Sequence, residues 1–365
     1  MRMGYAPLFQ NLGKPIPDRE VYTQELRLAE LAEPLGFDSV WSVEHHFTDY
    51  TMVPDVTQFL SYMAGKTSRV QLGSMVIVLP WHDPVRVAEE IAMLDNLSGG
   101  RMILGIGRGL GRVEFDGFRV PMGESRDRFV ESAQMILEGL EVGYVELEGE
   151  FTQQPRREIR PAPFQSFRGR TFAAAVSPES MPIMAKLGVG LLVVPQKPWE
   201  TVKEDFEIYH RVWGETYGAT SQPPAPMCGG FFFVDESADR AEEMAYRYIG
   251  RYYHSVMEHY EMTAGHLETM KGYEYYSRMR SYIEKRTPDG AAADFVRLMP
   301  WGTPDQLIEK IEFIHETIGA QGMMGHFAYA GMPYDEAERS LRLFVDKVMP
   351  EVQRIGTESG ALMVG

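Results

Sequence analysis

Glu44-His45-His46-Phe47 brings three proton-carrying side chains together at the end of an apolar run. In an extended strand, alternation puts Glu44 and His46 on one face and His45 on the other. Adjacent histidines on opposite faces do not readily share one metal, and the helical HExxH zinc spacing is absent. No metal-ligand set is expected. Two readings remain. Either one histidine works as an acid, base or hydrogen-bond donor while the other is buried, or both are satisfied structural groups.

Gly105-Ile106-Gly107-Arg108-Gly109-Leu110-Gly111 resembles a dinucleotide loop but fails its test. GxGxxG needs glycine where Leu110 or Arg112 stands, and no clear helix follows directly. What remains is a permissive backbone carrying the cation Arg108. It suits either close approach to a flat anionic ligand or a plain turn with a solvated arginine. Ser177-Pro178-Glu179-Ser180 reads as an N-cap followed by a helix start, and the hydroxyls of Ser177 and Ser180 could assist phosphate binding there. Glu179 counts against an anion, and simple capping is the alternative. Tyr273, Tyr275, Tyr276, Tyr282, Phe295 and Trp301 form an aromatic-rich stretch suited to a lid, to surface packing or to a dimer contact.

Eight short apolar runs must position these groups: Arg2–Leu8, Ser39–Glu44, Val70–Leu79, Met102–Gly107, Thr171–Ser177, Gly190–Pro195, Met227–Val234 and Met323–Ala330. Their near-continuous apolar content predicts parallel strands buried on both faces. Helical patterns fill the gaps. Asp18 is placed as a cap, His82-Asp83-Pro84 as a helix start closed by Gly99-Gly100, and Thr303-Pro304-Asp305-Gln306 as a capping box. A (β/α)₈ TIM barrel spanning 1–365 as one unit follows, with a doubly wound sheet as runner-up. Residues 144–169 and 258–302 depart from the pattern as insertions after strands four and seven. Each is long enough to cover an active site.

Composition narrows the classes. With 44% hydrophobic and 24% charged residues, the 365-residue chain is neither disordered nor fibrous. Lys and Arg total 36 against 52 Asp and Glu, a net charge of −16, which disfavours nucleic acid and anionic membranes as partners. No apolar run approaches the length of a membrane span, and Met1–Pro7 lacks a signal-peptide core, so a cytoplasmic enzyme is expected. Cys228 is alone and cannot form an internal disulfide. No GxSxG elbow or Walker A sequence occurs.

The run from Gly36 to Thr48, GFDSVWSVEHHFT, closely resembles the second-strand signature of the bacterial luciferase-like flavin monooxygenases. The resemblance continues in order through Leu79–Arg86, Leu94–Arg101, Gly107–Leu110, Glu124–Arg126, Lys271–Tyr273 and Gly302–Pro304, and so covers nearly the whole chain. It implies a barrel that binds reduced FMN supplied by a separate NAD(P)H:flavin reductase. Oxygen adds at flavin C4a, and the resulting peroxide or hydroperoxide oxidises a small, apolar organic substrate such as an aldehyde or ketone. His45 matches the family's catalytic histidine, with Glu44 beside it in the cofactor site. Arg108 matches a phosphate contact, flanked by Gly109 and Leu110, and Ser177 and Ser180 fall in the phosphate-binding segment. Ser74-Met75-Val76 falls where the family carries a non-prolyl cis peptide beneath the flavin ring. Residues 271–301 match a mobile loop, and a homodimer is implied. Two departures stand out: Gly107 replaces a reactive cysteine of some luciferases, and Val176 replaces an acidic residue of the phosphate loop. An F420-dependent oxidoreductase on the same barrel and a non-catalytic flavin-binding partner subunit are the alternatives.

Overall fold

The computed structural model describes residues 1–356, with side chains at all positions except 269, 277 and 278; residues 357–365 of the expected 1–365 unit lie outside the described residues. All eight expected strands form, and they close into a parallel barrel. In chain order they are β1 (Arg2–Tyr5), β2 (Ser39–Ser42), β3 (Gln71–Ser74, resumed at Ile77–Val78), β4 (Met102–Gly107), β5 (Thr171–Ala174), β6 (Gly190–Val193), β7 (Met227–Phe231) and β8 (Gly322–His326). Each pairs with its sequence neighbours. Closure occurs where Tyr5 of β1 sits between Val40 of β2 and Gly325 of β8. This settles closed barrel against open sheet.

Packing explains the strand sequences. Burial on both faces makes nearly every strand residue apolar or small. The larger core lies between barrel and helices, and a second cluster fills the interior with Trp41, Ile103, Phe172, Leu192, Met227 and Met324. A Cβ at Gly73 would overlap the Trp41 ring, so glycine there makes room for the indole. A Cβ at Gly105 would overlap the Ser74 carbonyl oxygen, which is backbone and cannot turn aside. Gly105→Ala is therefore expected to cost about 1–3 kcal/mol by overpacking. Denaturant unfolding checks this: the midpoint should fall with an unchanged slope.

Capping chemistry sets several helix ends. Asp83 accepts from the Val85 and Arg86 amides, and Gly99 closes the helix Pro84–Ser98 in the left-handed conformation with φ 66°. The Thr303–Gln306 capping box forms as expected. Asp18 is a correction. Pro17 occupies the cap position, and Asp18, the first helical residue, accepts from Asn11 Nδ2 at 2.7 Å. A second correction concerns β4. A helix, Arg112–Phe118, starts directly after Gly111. Seven residues containing Gly117 are too few to show helical periodicity in sequence.

The two insertions lie at opposite ends. Residues 144–169 form a hairpin, Tyr144–Glu148 with Gln153–Glu158, followed by a segment whose Phe164 and Gln165 amides donate to Asp95. Asp95 also receives both outer nitrogens of Arg170, just before β5 begins. This places the segment at the N-terminal strand ends, and no residue of 144–169 lines the main cavity. The expectation that it covers an active site is thus corrected. Residues 258–302 instead hold the helices His266–Thr269, Glu274–Arg286 and Pro288–Leu298, over the C-terminal strand ends. Among the described residues, no helix is long and apolar enough to cross a membrane.

One buried acid makes stability depend on pH. Burial beside Tyr5 and Tyr334 pushes the Glu25 carboxyl up to about 8, against the pull of the Leu8 and Phe9 amides and the Tyr334 hydroxyl. The folded state thus holds a proton that the unfolded chain gives up at its ordinary, lower value. Stability is fully present below about 4.5 and falls as pH rises toward about 8. In Glu25→Gln, thermal melts between pH 5 and 8 should lose that part of the slope.

Candidate active site

A cavity of about 960 Å³ opens at the C-terminal ends of the strands, at the upper end of the roughly 300–1,000 Å³ typical of small-molecule sites. Its wall is mainly apolar and aromatic, including Val43, Phe129, Phe231 and Met324. Polar groups gather at two places.

The first lies beyond β2. Glu44 and His45 both line the cavity and His46 does not; all three follow the extended strand, so the alternation that would pair Glu44 with His46 does not hold here. His46 is buried edge-on against Phe118 and Trp81. Its Nε2 lies 3.0 Å from Glu44 Oε1, which also meets His82 Nε2 at 2.7 Å, while Glu44 Oε2 accepts from the Val78 amide. Burial alone would raise the Glu44 carboxyl. The bonds from His46, His82 and Val78 outweigh it and hold the carboxyl below its ordinary value. Glu44 is thus an ionised anchor tying the end of β2 to β3.

His45 has a carboxylate of its own. Its Nδ1 lies 3.0 Å from Glu114 Oε1, which also accepts from the His46 amide at 2.9 Å. Burial works against the Glu114 charge, but His45 and His259 outweigh it and bring the carboxyl down to about 2. An ionised Glu114 can only accept, so the His45 proton sits on Nδ1 and Nε2 is left as the ring's acceptor. That Nε2 lies 3.4 Å from the Tyr260 hydroxyl, at the cavity wall. Gly111 permits this fold-back, since a Cβ there would stand 2.5 Å from Glu114 Oε2. His259 Nε2 is 3.5 Å from the same Oε1. Oε1 thus meets His45 and an amide by hydrogen bonds, with His259 Nε2 beside it and unbonded, the three ligand-type groups lying within 4.8 Å of one another.

The second polar group is cationic. Arg108 and Arg126 both line the cavity, and both donate to the Gly272 carbonyl, at 2.6 and 3.1 Å. Burial and the neighbouring Arg108 charge lower the Arg126 pKa, so the pair favours an anion. Ser177 and Ser180 line the same wall, their hydroxyl oxygens 2.9 Å apart. Lys197 is spoken for, donating to the Val176 carbonyl and pairing with Asp205. Gln196 Oε1 and Trp81 Nε1, on residues of the wall, are buried without a hydrogen-bond partner.

Other expectations fare unevenly. The Met75-Val76 peptide is cis, and both residues line the cavity, as do Gly109 and Leu110. Ser74 is a correction: it is fully buried in the barrel wall and does not line the cavity. Its hydroxyl donates to the Gly105 carbonyl at 2.8 Å and accepts from the Gly105 amide at 2.7 Å. At Gly107, a Cβ would overlap Val76 Cγ2, so no cysteine fits here without moving that residue. Tyr275, Tyr276, Tyr282 and Phe295 line the cavity. Tyr273 lies instead beneath Arg108, 4.0 Å from the guanidinium, with its hydroxyl on the Gly109 carbonyl. Trp301 does not line the cavity; its Nε1 donates to the Val296 carbonyl. Cys228 is buried, and burial pushes its thiol up to about 12, which leaves it inert. Glu114, His259 and Gln196 carried no local signal in the sequence. Arg126 did, within Glu124-Ser125-Arg126, but the motif gave it no role.

Comparison with known proteins agrees with this geometry. The chain is 27% identical over 334 residues to the alkanal monooxygenase alpha chain of Photorhabdus luminescens, covering 91% of this chain and 92% of that one. The crystal structure of the monooxygenase RslO1 from Streptomyces bottropensis superposes with a TM-score of 0.78 at 25% identity, covering 96% of this chain and 99% of that one. The oxygenating constituent of 3,6-diketocamphane monooxygenase from Pseudomonas putida, solved with FMN, shares the fold with a TM-score of 0.74 at 19% identity, covering 96% and 98%. The profile of the luciferase-like monooxygenases matches residues 1–321, and the chain belongs to that family.

Proposed function

We propose that this chain is a monooxygenase that takes reduced FMN from a separate NAD(P)H:flavin reductase and uses O₂ to oxidise a small apolar substrate such as an aldehyde or ketone. The observation that carries the reading is the polarity of the cavity. A guanidinium pair stands at one place, a carboxylate-held histidine at another, and a mainly apolar wall runs between them. The donor set fits the cofactor. Arg108, Arg126, Ser177 and Ser180 suit a phosphate. The cis Met75-Val76 segment, Gly107 and Gly109 offer a wall with little side-chain bulk, and the unpartnered Gln196 Oε1 offers an acceptor. When bound, the flavin supplies the electrons and the oxygen chemistry. His45 holds or moves a proton at Nε2. The aromatic residues of 258–302 and the apolar wall exclude water and receive the substrate. The alpha-chain likeness supports this reading over a partner subunit without chemistry of its own.

The test is anaerobic titration with reduced FMN, then mixing with oxygen under rapid-scan absorbance. Tight binding and a protein-dependent transient before oxidised flavin appears are expected. Absence of binding, with tight binding of F420 instead, would overturn the reading in favour of hydride transfer.

A further inference from the structure

A second cavity, of about 410 Å³, lies beside the first and is walled in part by the exposed Arg112, Asp116 and Glu258. Tyr50 lines both cavities, and one carboxylate stands between a histidine of each. Glu114 Oε1 faces His45 Nδ1 at 3.0 Å on the main-cavity side. The same oxygen stands 3.5 Å from His259 Nε2, whose ring lines the second cavity. On the far side of that ring, Nδ1 lies 3.0 Å from the Thr48 hydroxyl, which lines the second cavity too. Tyr50 stacks on the His259 ring at 4.4 Å and 13°, fixing its plane.

We propose that Glu114, His259 and Thr48 form a proton connection between His45 and the second cavity, so that the reaction site exchanges protons with solvent through the barrel wall. The transfer balances. Once the reaction has placed a second proton on His45, at Nε2, the Nδ1 proton passes to Glu114 Oε1 and from that oxygen to His259 Nε2. His259 gives its Nδ1 proton to Thr48 Oγ1, whose own hydroxyl proton goes to water. His45 returns to the neutral ring with its proton on Nε2, solvent gains one proton, and His259 is left as its other tautomer. The 3.5 Å step closes with a shift of a few tenths of an ångström. The side chain of His259 is 1% exposed and its Nε2 has no hydrogen bond, so the carboxylate is that nitrogen's available partner. The titratable and charged groups around the ring are Glu114 and Arg112, then His45, Asp49 and Tyr50 from the segment after β2, then Tyr252, Glu258, Tyr260 and Glu261 from its own segment. Burial depresses the His259 pKa, which keeps the ring neutral and able to accept. His259 and Thr48 are positioning residues in this scheme, acting on the site through Glu114.

The inference rests on the monooxygenase reading only for what the proton is used for, and its test needs no flavin. Imidazole ¹⁵N resonances of the full chain report the solvent exchange of the His45 Nδ1 proton. In the wild type, that exchange should slow when His259 is protonated, because a charged ring can no longer accept from the shared carboxylate. His259→Gln should remove this dependence. Thr48→Val removes one hydrogen bond and should slow His45 Nδ1–H exchange by roughly fivefold or more. Thr48→Val nearly preserves shape, so it decides the matter even where His259→Gln does not fold. Exchange at the wild-type rate in Thr48→Val would overturn the proposal. Should reduced FMN fail to bind while exchange still slows, the functional reading falls and the proton connection stands.

Discussion

Arg126→Ala should bind reduced FMN about 10- to 100-fold more weakly than the wild type, and Arg108→Ala similarly. A hydrogen bond to a charged group contributes about 1.5–3 kcal/mol, and 1.4 kcal/mol is tenfold in affinity. The two side chains share a partner, so the double variant should lose less than the product of the single losses. Riboflavin, which lacks the phosphate, separates the two roles these arginines could have. If they meet the phosphate, the substitutions erase the preference for FMN over riboflavin. If they serve only to hold Gly272, both ligands weaken together and the phosphate assignment is wrong.

His45→Ala should lower the rate of substrate oxidation by about 10²–10⁴-fold, the usual contribution of a positioned proton donor or acceptor. Binding of reduced FMN should change little, because the cation pair is separate from the histidine. The measurement is product formed per flavin oxidised, with flavin binding followed in parallel. His46→Ala makes the informative contrast. That ring fills a buried site against Phe118 and Trp81, so its loss should appear in stability before it appears in turnover. Equal turnover in His45→Ala and wild type would remove His45 from the chemistry.

The barrel was legible because its signal is local. Each strand is buried on both faces, so each shows as an apolar run, and turn residues mark the gaps. Alternation did not carry past Ser42: Glu44, His45 and His46 follow the strand, and Glu44 lines the cavity beside His45. Legibility stopped where function depends on residues far apart in sequence. Glu114 reaches His45 across 69 positions and His259 across 145, and no spacing rule connects them. The helix that carries Glu114 is too short to be periodic. Ser74 failed differently: neighbours in sequence were taken as neighbours in the cavity, yet its hydroxyl turns to Gly105 and only Met75 and Val76 face inward. Residues 144–169 failed because length alone does not say which end of a barrel an insertion covers.

One carbonyl joins the two halves of the site. Gly272 O accepts from Arg108 and Arg126 together, and Tyr273, next in sequence, packs under Arg108. An anion that draws the guanidiniums toward itself competes with the segment 258–302 for the same donors, and a ligand held beneath that segment strengthens the segment's claim on them. Thermodynamic reciprocity then fixes the consequence: whatever factor an anion at the arginines imposes on the apolar ligand's affinity, the apolar ligand imposes on the anion's. Binding of an anion and of an apolar ligand is thereby linked through a backbone atom that no side-chain substitution removes.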